Sequence, residues 1–216
     1  MKLRDAMRLL ESIRTMSERY NKIFKDTKIE YGDSFGYNMK RNTIYIRKEC
    51  PEDTLQEHRE KFLLDYVNQR YGARFYTEDH DDFSFLHECG HAYDYLTTKN
   101  KDNYIKKHFA NEKEMNIMKQ NLESVIGTQM KIIKDIYEEM IDIYDNKLCK
   151  CNLFKEYYTE KLDELIVKVN EHFSICYNAV DTVDIRYREL DDESFADKWA
   201  CENYNYAMFL AYEWED

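Results

Sequence analysis

His87 and His91, with Glu88 directly after the first of them, constrain this chain more than any other feature of its sequence. If residues 81–96 form a helix, the two histidines lie one turn apart on one face and their imidazoles point to one place. Glu88 is then rotated by about 100° from His87, where it can reach a water molecule but not the ion that the histidines bind. The spacing therefore predicts a helix with a Zn²⁺ site. The alternative is a surface helix that carries two unrelated histidines.

The residues around this motif are typical of a buried helix. Asp81 or Asp82 can cap its N-terminus. Gly90 would cost about 1 kcal/mol in an ordinary helix interior, so we expect another element to pack closely against it. Cys89 points away from the histidine face and is interpreted as a small apolar residue. Apolar residues at three- and four-residue spacing predict a buried stripe, consisting of Phe83, Leu86, Gly90, Tyr93 and Leu96.

A zinc ion that activates water needs a third protein ligand, and the sequence offers one on a second helix. Glu193 and Asp197 lie four residues apart, on one helical face. Glu193 can bind the metal, while Asp197 can hold the far nitrogen of a metal-binding histidine. Glu138 and Asp142 have the same spacing, but they fall on the polar stripe of a long helix, which is more typical of a solvated face. The buried side of the second helix would be Phe195, Ala196, Trp199 and Ala200.

The segments 87–94 and 193–199 together resemble the gluzincin zinc peptidases. The nearest pattern is that of the anthrax lethal factor catalytic domain and the Pro-Pro endopeptidases, H-E-x-G-H-A-x-D followed by E-x-F-A-E-x-F. The resemblance implies a zincin-like fold in which His87, His91 and Glu193 bind zinc and Glu88 is the catalytic base. Asp197 stands where this pattern has its second glutamate. His91 and Glu193 are 102 positions apart, about twice the separation in lethal factor, which predicts an insertion.

The resemblance also implies a hydroxyl that stabilises the charge on the substrate's carbonyl oxygen. Lethal-factor-like domains place a tyrosine seven residues before their ligand glutamate, and here Tyr187 lies six residues before Glu193. Tyr187 is therefore a candidate catalytic residue. Arg186 and Arg188 flank it and are possible substitutes. The alternative is an ordinary packed tyrosine.

The overall composition limits the class of protein and its partners. One proline and five glycines in 216 residues predict long helices with few tight turns. A net charge of −11 argues against a nucleic-acid partner and fits a cationic peptide or simple solubility. No apolar stretch is long enough for a membrane span, and residues 1–10 have no signal-peptide core. Without a secretion signal, the six cysteines are interpreted as free thiols. We therefore expect a cytoplasmic protein (in the host cytoplasm, if a virus or mobile element encodes it) with no membrane partner. Cys149 and Cys151 could indicate a second metal, but no partner ligands lie nearby.

Hydrophobic periodicity predicts the remaining elements. The β-branched segment 42–48 is the clearest strand, and either an edge strand that pairs with a substrate or an internal strand is compatible with it. Two long helices would form an αα-hairpin, which is the insertion between the ligand-bearing helices. That hairpin packs on the core or, alternatively, offers a coiled-coil surface to a partner. The other expectations are a helix over 3–25, a strand over 28–31, a turn over 32–36, a helix over 53–71 ended by Gly72, a possible strand over 74–77, a helix over 103–146 broken near 110–111 or at 127, a turn over 148–152, a helix over 154–173, a loop or short strand over 180–190 and a buried aromatic end over 207–214.

These observations predict an α+β protein that is predominantly α. We expect a single zincin-like metallopeptidase domain over residues 1–216, with 103–173 as the helical-hairpin insertion. The predicted function is a zinc-dependent endopeptidase that hydrolyses a protein or peptide substrate with a zinc-bound water activated by Glu88. The alternative is a non-catalytic regulatory or interaction protein that retains a structural zinc. An intact Glu88 argues against it, because a structural zinc has no use for a base.

Overall fold

The computed structural model describes residues 1–48, 54–148 and 155–212, and it is mostly helical with one three-stranded sheet. The chain divides into two compact units, Met1–Glu112 with Asp184–Asp216 and Lys113–Val183. The predominantly α character with a small sheet is thus confirmed. The elements in chain order are α1 (Leu3–Met16), α2 (Glu18–Phe24), β1 (Lys28–Gly32), β2 (Gly36–Asn38), β3 (Thr43–Arg47), α3 (Thr54–Tyr71), a 3₁₀ turn (Thr77–Asp79), α4 (His80–Thr97), α5 (Lys101–Asp142), a π-helical turn (Ile143–Leu148), α6 (Lys155–Arg188) and α7 (Asp191–Tyr212).

The sheet of the first unit has the strand order β1–β3–β2. β1 runs parallel to β3, with Lys28 beside Thr43, and β2 pairs with β3 in the antiparallel sense. β3 is therefore the central strand, and Ile44 and Ile46 are fully buried. Of the two alternatives for segment 42–48, the internal strand is correct and the edge strand is wrong. The edge strand that packs against α4 is β2, which begins at Gly36.

The core of the first unit is centred on α4, whose residues from Phe83 to Ala92 are all buried. α7 packs along α4, and α1, α2 and the sheet surround the pair. Cys89 is fully buried in this core, in agreement with its interpretation as a small apolar residue. The largest buried side chains of the core include Leu9, Ile13, Phe24, Ile44, Ile46, Phe83, Phe85 and Leu86.

The predicted helix over 3–25 is two helices. Ser17 has the extended angles φ −160° and ψ 155°, and its hydroxyl accepts a hydrogen bond from the Tyr20 amide at 3.1 Å. Ser17 thereby ends α1 and caps α2, as serine often does at a helix start. Met7 of α1 is exposed, whereas Ala6 and Leu9 are buried, so the core-facing side of α1 runs through the latter two.

The segment between α3 and α4 differs from the expectation in two respects. Gly72 ends α3 as predicted, with a φ of +67° that favours glycine. The possible strand at 74–77 does not form. The Asn68 side chain exchanges two hydrogen bonds with the Phe75 backbone, at 2.8 and 2.9 Å, and so satisfies groups that a neighbouring strand would otherwise bind. α4 then starts at His80, with Asp79 as its N-cap residue rather than Asp81 or Asp82.

The second unit is a helical hairpin. Gln129 lies 2.6 Å from His172, and Glu139 lies 2.8 Å from Lys161, so α5 and α6 are antiparallel. α5 continues without interruption for 42 residues, and the breaks predicted near 110–111 or at 127 do not occur. The turn predicted at 148–152 and the pair Cys149 and Cys151 fall outside the described residues. The seam between the helices consists of Met115, Ile133 and Ile143 with Leu165, Val169, Cys176, Val180 and Val183.

Two further expectations concern the last helices. α6 extends to Arg188, so most of the segment 180–190 is helical and not a loop or strand. At the end of α7 the alanines Ala207 and Ala211 are buried, whereas Tyr206 and Phe209 are exposed. The expectation of a buried aromatic end was therefore wrong for the part of 207–214 that is described. Within residues 1–48, 54–148 and 155–212, none of the helices is apolar over a length that would cross a bilayer.

Candidate metal centre

Three buried side chains from α4 and α7 converge on one point. The Nε2 atoms of His87 and His91 are 3.0 Å apart, and they lie 3.1 and 3.4 Å from Oε2 of Glu193. Zinc with ligands at about 2.0–2.1 Å in tetrahedral geometry places neighbouring ligand atoms about 3.3–3.4 Å from each other. The observed separations are close to that spacing, so this group could hold a metal ion.

The close packing of α4 on α7 explains why these residues meet. A Cβ atom on Gly90 would lie 2.8 Å from Cα and 2.9 Å from the carbonyl oxygen of Ala196. Only glycine allows the two backbones to approach this far, so the predicted close neighbour of Gly90 is confirmed. Gly90 lies between the two histidines in α4, and Ala196 lies between Glu193 and Asp197 in α7. The contact therefore sets the ligand-bearing turns against each other.

Asp197 makes the contact that the sequence predicted for it. Its Oδ1 lies 2.8 Å from Nδ1 of His87. A carboxylate can only accept a hydrogen bond, so Nδ1 carries a proton and Nε2 is the ring atom that faces Glu193. A lone pair and a carboxylate oxygen at 3.1 Å repel each other unless a positive charge lies between them. The donor atoms therefore fit a metal cation, or a proton in its place.

The electrostatics of the centre follow from its burial and its charges. Burial and the Arg188 guanidinium lower the pKa of His87, but the carboxylates of Asp197 and Glu193 outweigh them and raise it to about 9. Burial acts to raise the pKa of Glu193, yet the two histidines hold it well below its usual range. Glu193 is thus an ionised carboxylate in a buried place, as a metal ligand must be.

Arg188 lies in the centre itself, beside His87 and Asp197. The sequence had indicated it only as a possible substitute for Tyr187. Its NH1 group donates to Oδ1 of Asp197 at 2.9 Å and lies 3.2 and 3.3 Å from the two ring nitrogens of His87. Nearly equal distances to both nitrogens place the guanidinium beside the ring rather than in line with one nitrogen. Arg186, by contrast, is exposed and pairs with Glu189. Of the two arginines, only Arg188 belongs to the centre.

The centre lies next to two adjoining cavities of about 420 and 200 Å³ in the first unit. Phe35, Glu88 and Tyr187 line both of them. The larger cavity extends towards the aromatic and charged side chains of α3, and the smaller one extends towards β2 and the first turns of α5. Glu88 thus lies where the two cavities meet, beside the three converging ligand atoms.

Tyr187 lies in the last turn of α6, not in the predicted loop, and it faces the centre. Burial and the carboxylates of Glu193 and Glu88 raise the pKa of its hydroxyl well above the usual value, against the opposing effect of Arg188. The hydroxyl is therefore protonated and can donate. Only a short link separates α6 from α7, and it brings Tyr187 close to Glu193, which is six residues further along the chain.

The beginning of α5 contributes side chains that the sequence had assigned to the insertion. Asp192 accepts a hydrogen bond from Asn111 at 3.0 Å and lies 3.3 Å from Nδ1 of His108. This contact, stronger than the opposing effect of burial, raises the pKa of His108. His108 and Tyr104 form one wall of the smaller cavity. Residues 103–112 belong to the first compact unit, whereas the second unit starts at Lys113.

The donor set defines what this arrangement can do. Two imidazole nitrogens and one carboxylate oxygen suit a borderline divalent cation, and three protein ligands leave one tetrahedral position for water or substrate. Glu138, the other candidate ligand considered, lies in the second unit and is exposed. No model of a known protein family, no curated protein and no solved structure matches the chain.

Proposed function

We propose that this chain is a zinc-dependent endopeptidase of the gluzincin type, with a zincin-like catalytic core in its first unit. The observation that carries the proposal is the convergence of His87, His91 and Glu193 within 3.0–3.4 Å, with Glu88 in the cleft beside them. A purely structural metal site is closed by four protein ligands as a rule, and it has no use for a carboxylate base. Three ligands and an adjacent glutamate are the parts that hydrolysis needs.

Each residue of the cleft has a separate task in peptide hydrolysis. His87, His91 and Glu193 would hold the zinc ion, which would supply a Lewis acid for the scissile carbonyl and lower the pKa of water in the cleft. Glu88 would take a proton from the attacking water and pass it to the leaving amine. Tyr187, whose hydroxyl stays protonated, donates a hydrogen bond to the carbonyl oxygen as negative charge develops there. Asp197 and Arg188 hold the His87 ring in the orientation that presents Nε2.

The position of β2 supports an extended peptide as the substrate. β2 is at the edge of the sheet, it packs against α4, and Gly36 and Tyr37 line the smaller cavity next to Glu88 and His91. An extended chain can pair with the free side of such a strand through backbone hydrogen bonds. That pairing would bring a scissile bond past Glu88. β2 thus takes the substrate-binding role that the sequence had suggested for segment 42–48.

Metal content and peptide cleavage, measured together, test this function. The purified chain is expected to carry one zinc ion by elemental analysis and to cleave members of a random peptide library. Glu88→Gln should keep the metal and lose cleavage, since it changes the base and not a ligand. His87→Ala should lose both. Absence of bound metal after growth with ample zinc would contradict the proposal. Bound zinc with no cleavage by either the unmodified chain or Glu88→Gln would favour the non-catalytic alternative.

A further inference from the structure

The second unit carries an apolar stripe that is not part of its internal seam. Met130, Tyr137, Ile141 and Tyr144 of α5 and the π-helical turn after it are all exposed, and the last three expose 47, 59 and 58 % of their surface. They are separated by seven, four and three residues, which places them on one face of the helix. The seam residue Ile133, four positions before Tyr137, borders this stripe but is buried. The apolar surface of α5 is therefore wider than its buried seam.

α6 adds to the same side of the hairpin. Phe173 follows the seam residue Val169 by four positions, just as Tyr137 follows Ile133 in α5. In each helix the side chain four positions after a seam residue is rotated by about 40° from the seam. Because the helices are antiparallel, this rotation turns Tyr137 and Phe173 towards the same side of the hairpin. Phe173 is partly exposed, and Ile166, which is exposed, lies on the same side of α6. The stripe of α5 and these two residues of α6 are called the apolar face here.

The size of the apolar face fits a weak, transient protein interface. From Met130 to Tyr144, α5 and its π-helical turn run for about 21 Å, and two helices side by side are about 20 Å wide. Pairing two such faces would bury roughly 420 Å² on each side, or about 840 Å² in total. That is below the approximately 1,000 Å² of a stable specific interface, so the dimer would be transient and would depend on protein concentration.

The charges beside the apolar face are arranged so that it complements itself. Lys131 and Lys134 precede Tyr137 along one edge of the stripe, and Glu138, Asp142 and Asp145 follow it along the same edge. In an antiparallel pair of α5 helices with its two-fold axis at Tyr137, Met130 is opposite Tyr144. Lys134 is level with residue 140 of the other copy and Lys131 with residue 143, so each lysine lies within two residues of the level of an acidic side chain there. Lys134 and Glu138 also lie 3.8 Å apart within α5, but such an exposed pair contributes little by itself.

We propose that the second unit is a homodimerisation module. α5 packs antiparallel against α5 of a second copy across a two-fold axis near Tyr137, and the two hairpins form a four-helix bundle. The occupant of the apolar face is thus the same face of another copy. This dimerisation does not depend on metal or on the proposed peptidase activity, so it is tested separately from them.

Analytical ultracentrifugation of the full chain tests the dimer. The protein concentration is varied over about 1–200 µM, because a small interface is expected to give a weak dimer. The unmodified chain is expected to shift from monomer to dimer as concentration rises. Tyr137→Glu combined with Ile141→Glu should be monomeric throughout. The matched control is Ile117→Glu, since Ile117 is also in the second unit and 53 % exposed, but it lies about 200° around α5 from Tyr137. It should dimerise like the unmodified chain, and circular dichroism should show unchanged helix content in both variants.

A charge-reversal pair tests the arrangement of the two copies. Lys134→Glu and Glu138→Lys, each alone, place like charges opposite each other twice and should weaken the homodimer by at least tenfold. An equimolar mixture of the two variants should recover dimers, because the glutamate introduced into one chain then faces the lysine introduced into the other. A monomeric unmodified chain at all concentrations would overturn the proposal. So would a Tyr137→Glu, Ile141→Glu chain that still dimerises, or a mixture that shows no recovery.

Discussion

At the scale of single residues, the two ring nitrogens of His87 have different partners. Nδ1 donates to Asp197, and Nε2 points to the place where Glu193 and His91 also converge. This division fixes the tautomer of the ring, so the lone pair is available to a metal. Arg188 beside the ring compensates the charge of Asp197, which would otherwise be an uncompensated carboxylate in a buried place.

Replacing Tyr187 with phenylalanine removes one hydroxyl from the cleft, together with its hydrogen bond to Glu193. If that hydroxyl donates to the developing oxyanion, Tyr187→Phe should lower kcat by about 10- to 1000-fold, the range for loss of one such donor. Zinc content and KM should stay near those of the unmodified chain, because Tyr187 is not among the converging ligands. Steady-state kinetics on a cleaved library peptide measure this. Unchanged kcat would return Tyr187 to a packing role and point to Arg188 instead.

Glu193 and Glu138 offer a matched pair for the choice of the third ligand. Glu193→Ala removes one of three buried ligand atoms. It should weaken zinc binding by more than about tenfold, because loss of a residue that only supports a ligand already costs about that much. Glu138→Ala changes an exposed residue of the second unit and should leave zinc binding unchanged. Competition for zinc with a coloured chelator gives both affinities. If Glu138→Ala were the variant that lost the metal, the assignment of Glu193 would be wrong.

Local spacing explains which residues of the site could be predicted. His87, Glu88 and His91 follow from one turn of helix, and Glu193 with Asp197 from another. Arg188 and His108 could not be assigned in this way, because their positions depend on how far α6 continues and on where α5 begins to leave the first unit. No short pattern in the sequence marks either point. Asp192, which holds His108, precedes Glu193 directly and is the one signal that could have drawn attention to that wall of the cleft.

At the scale of elements, the contact between α4 and α7 at Gly90 makes a definite prediction. Gly90→Ala places a Cβ against backbone atoms of Ala196 at 2.8–2.9 Å, and a helix backbone cannot move aside easily. The free energy of unfolding should fall by about 1–3 kcal/mol, as for other overpacked cores. Zinc affinity should also fall, since the ligands lie on the two helices that are forced apart. Chemical denaturation and metal competition give the two values.

Gly127 provides the control for this substitution. It also lies within a helix, but a Cβ added there would meet nothing within 4 Å. Gly127→Ala should therefore raise the free energy of unfolding by up to about 1 kcal/mol through helix propensity alone. Equal effects of the two substitutions would contradict the close packing described at Gly90.

Elements that depend on distant pairing were harder to predict than helices with strong periodicity. The segment 42–48 was recognised as a strand, but its central place comes from β1 on one side and β2 on the other, which its own residues do not reveal. Ser17 is a comparable case. The apolar period continues through it from α1 into α2, and only its capping hydrogen bond to Tyr20 shows the break.

At the scale of the whole molecule, metal binding should be coupled to stability. The three ligands come from α4 and α7, so only the folded first unit can bind the ion with all of them. Zinc at about one hundred times its Kd adds about 2.7 kcal/mol. Chelation should then lower Tm by about 5–10 °C for a unit of this size. His91→Ala should show no such shift in thermal unfolding followed by circular dichroism. A shift of equal size in that variant would place the stabilising ion elsewhere.

The separation of the ligands along the chain has a consequence for biosynthesis. His91 and Glu193 are 102 positions apart, and a ribosome adding about 5–20 residues per second needs roughly 5–20 s to pass from one to the other. During that interval both histidines have been made, but the third ligand has not. The helix that covers Gly90 is also still missing. A growing chain is therefore without a finished centre until α7 has been translated, and the proposed hydrolysis could not begin before that moment.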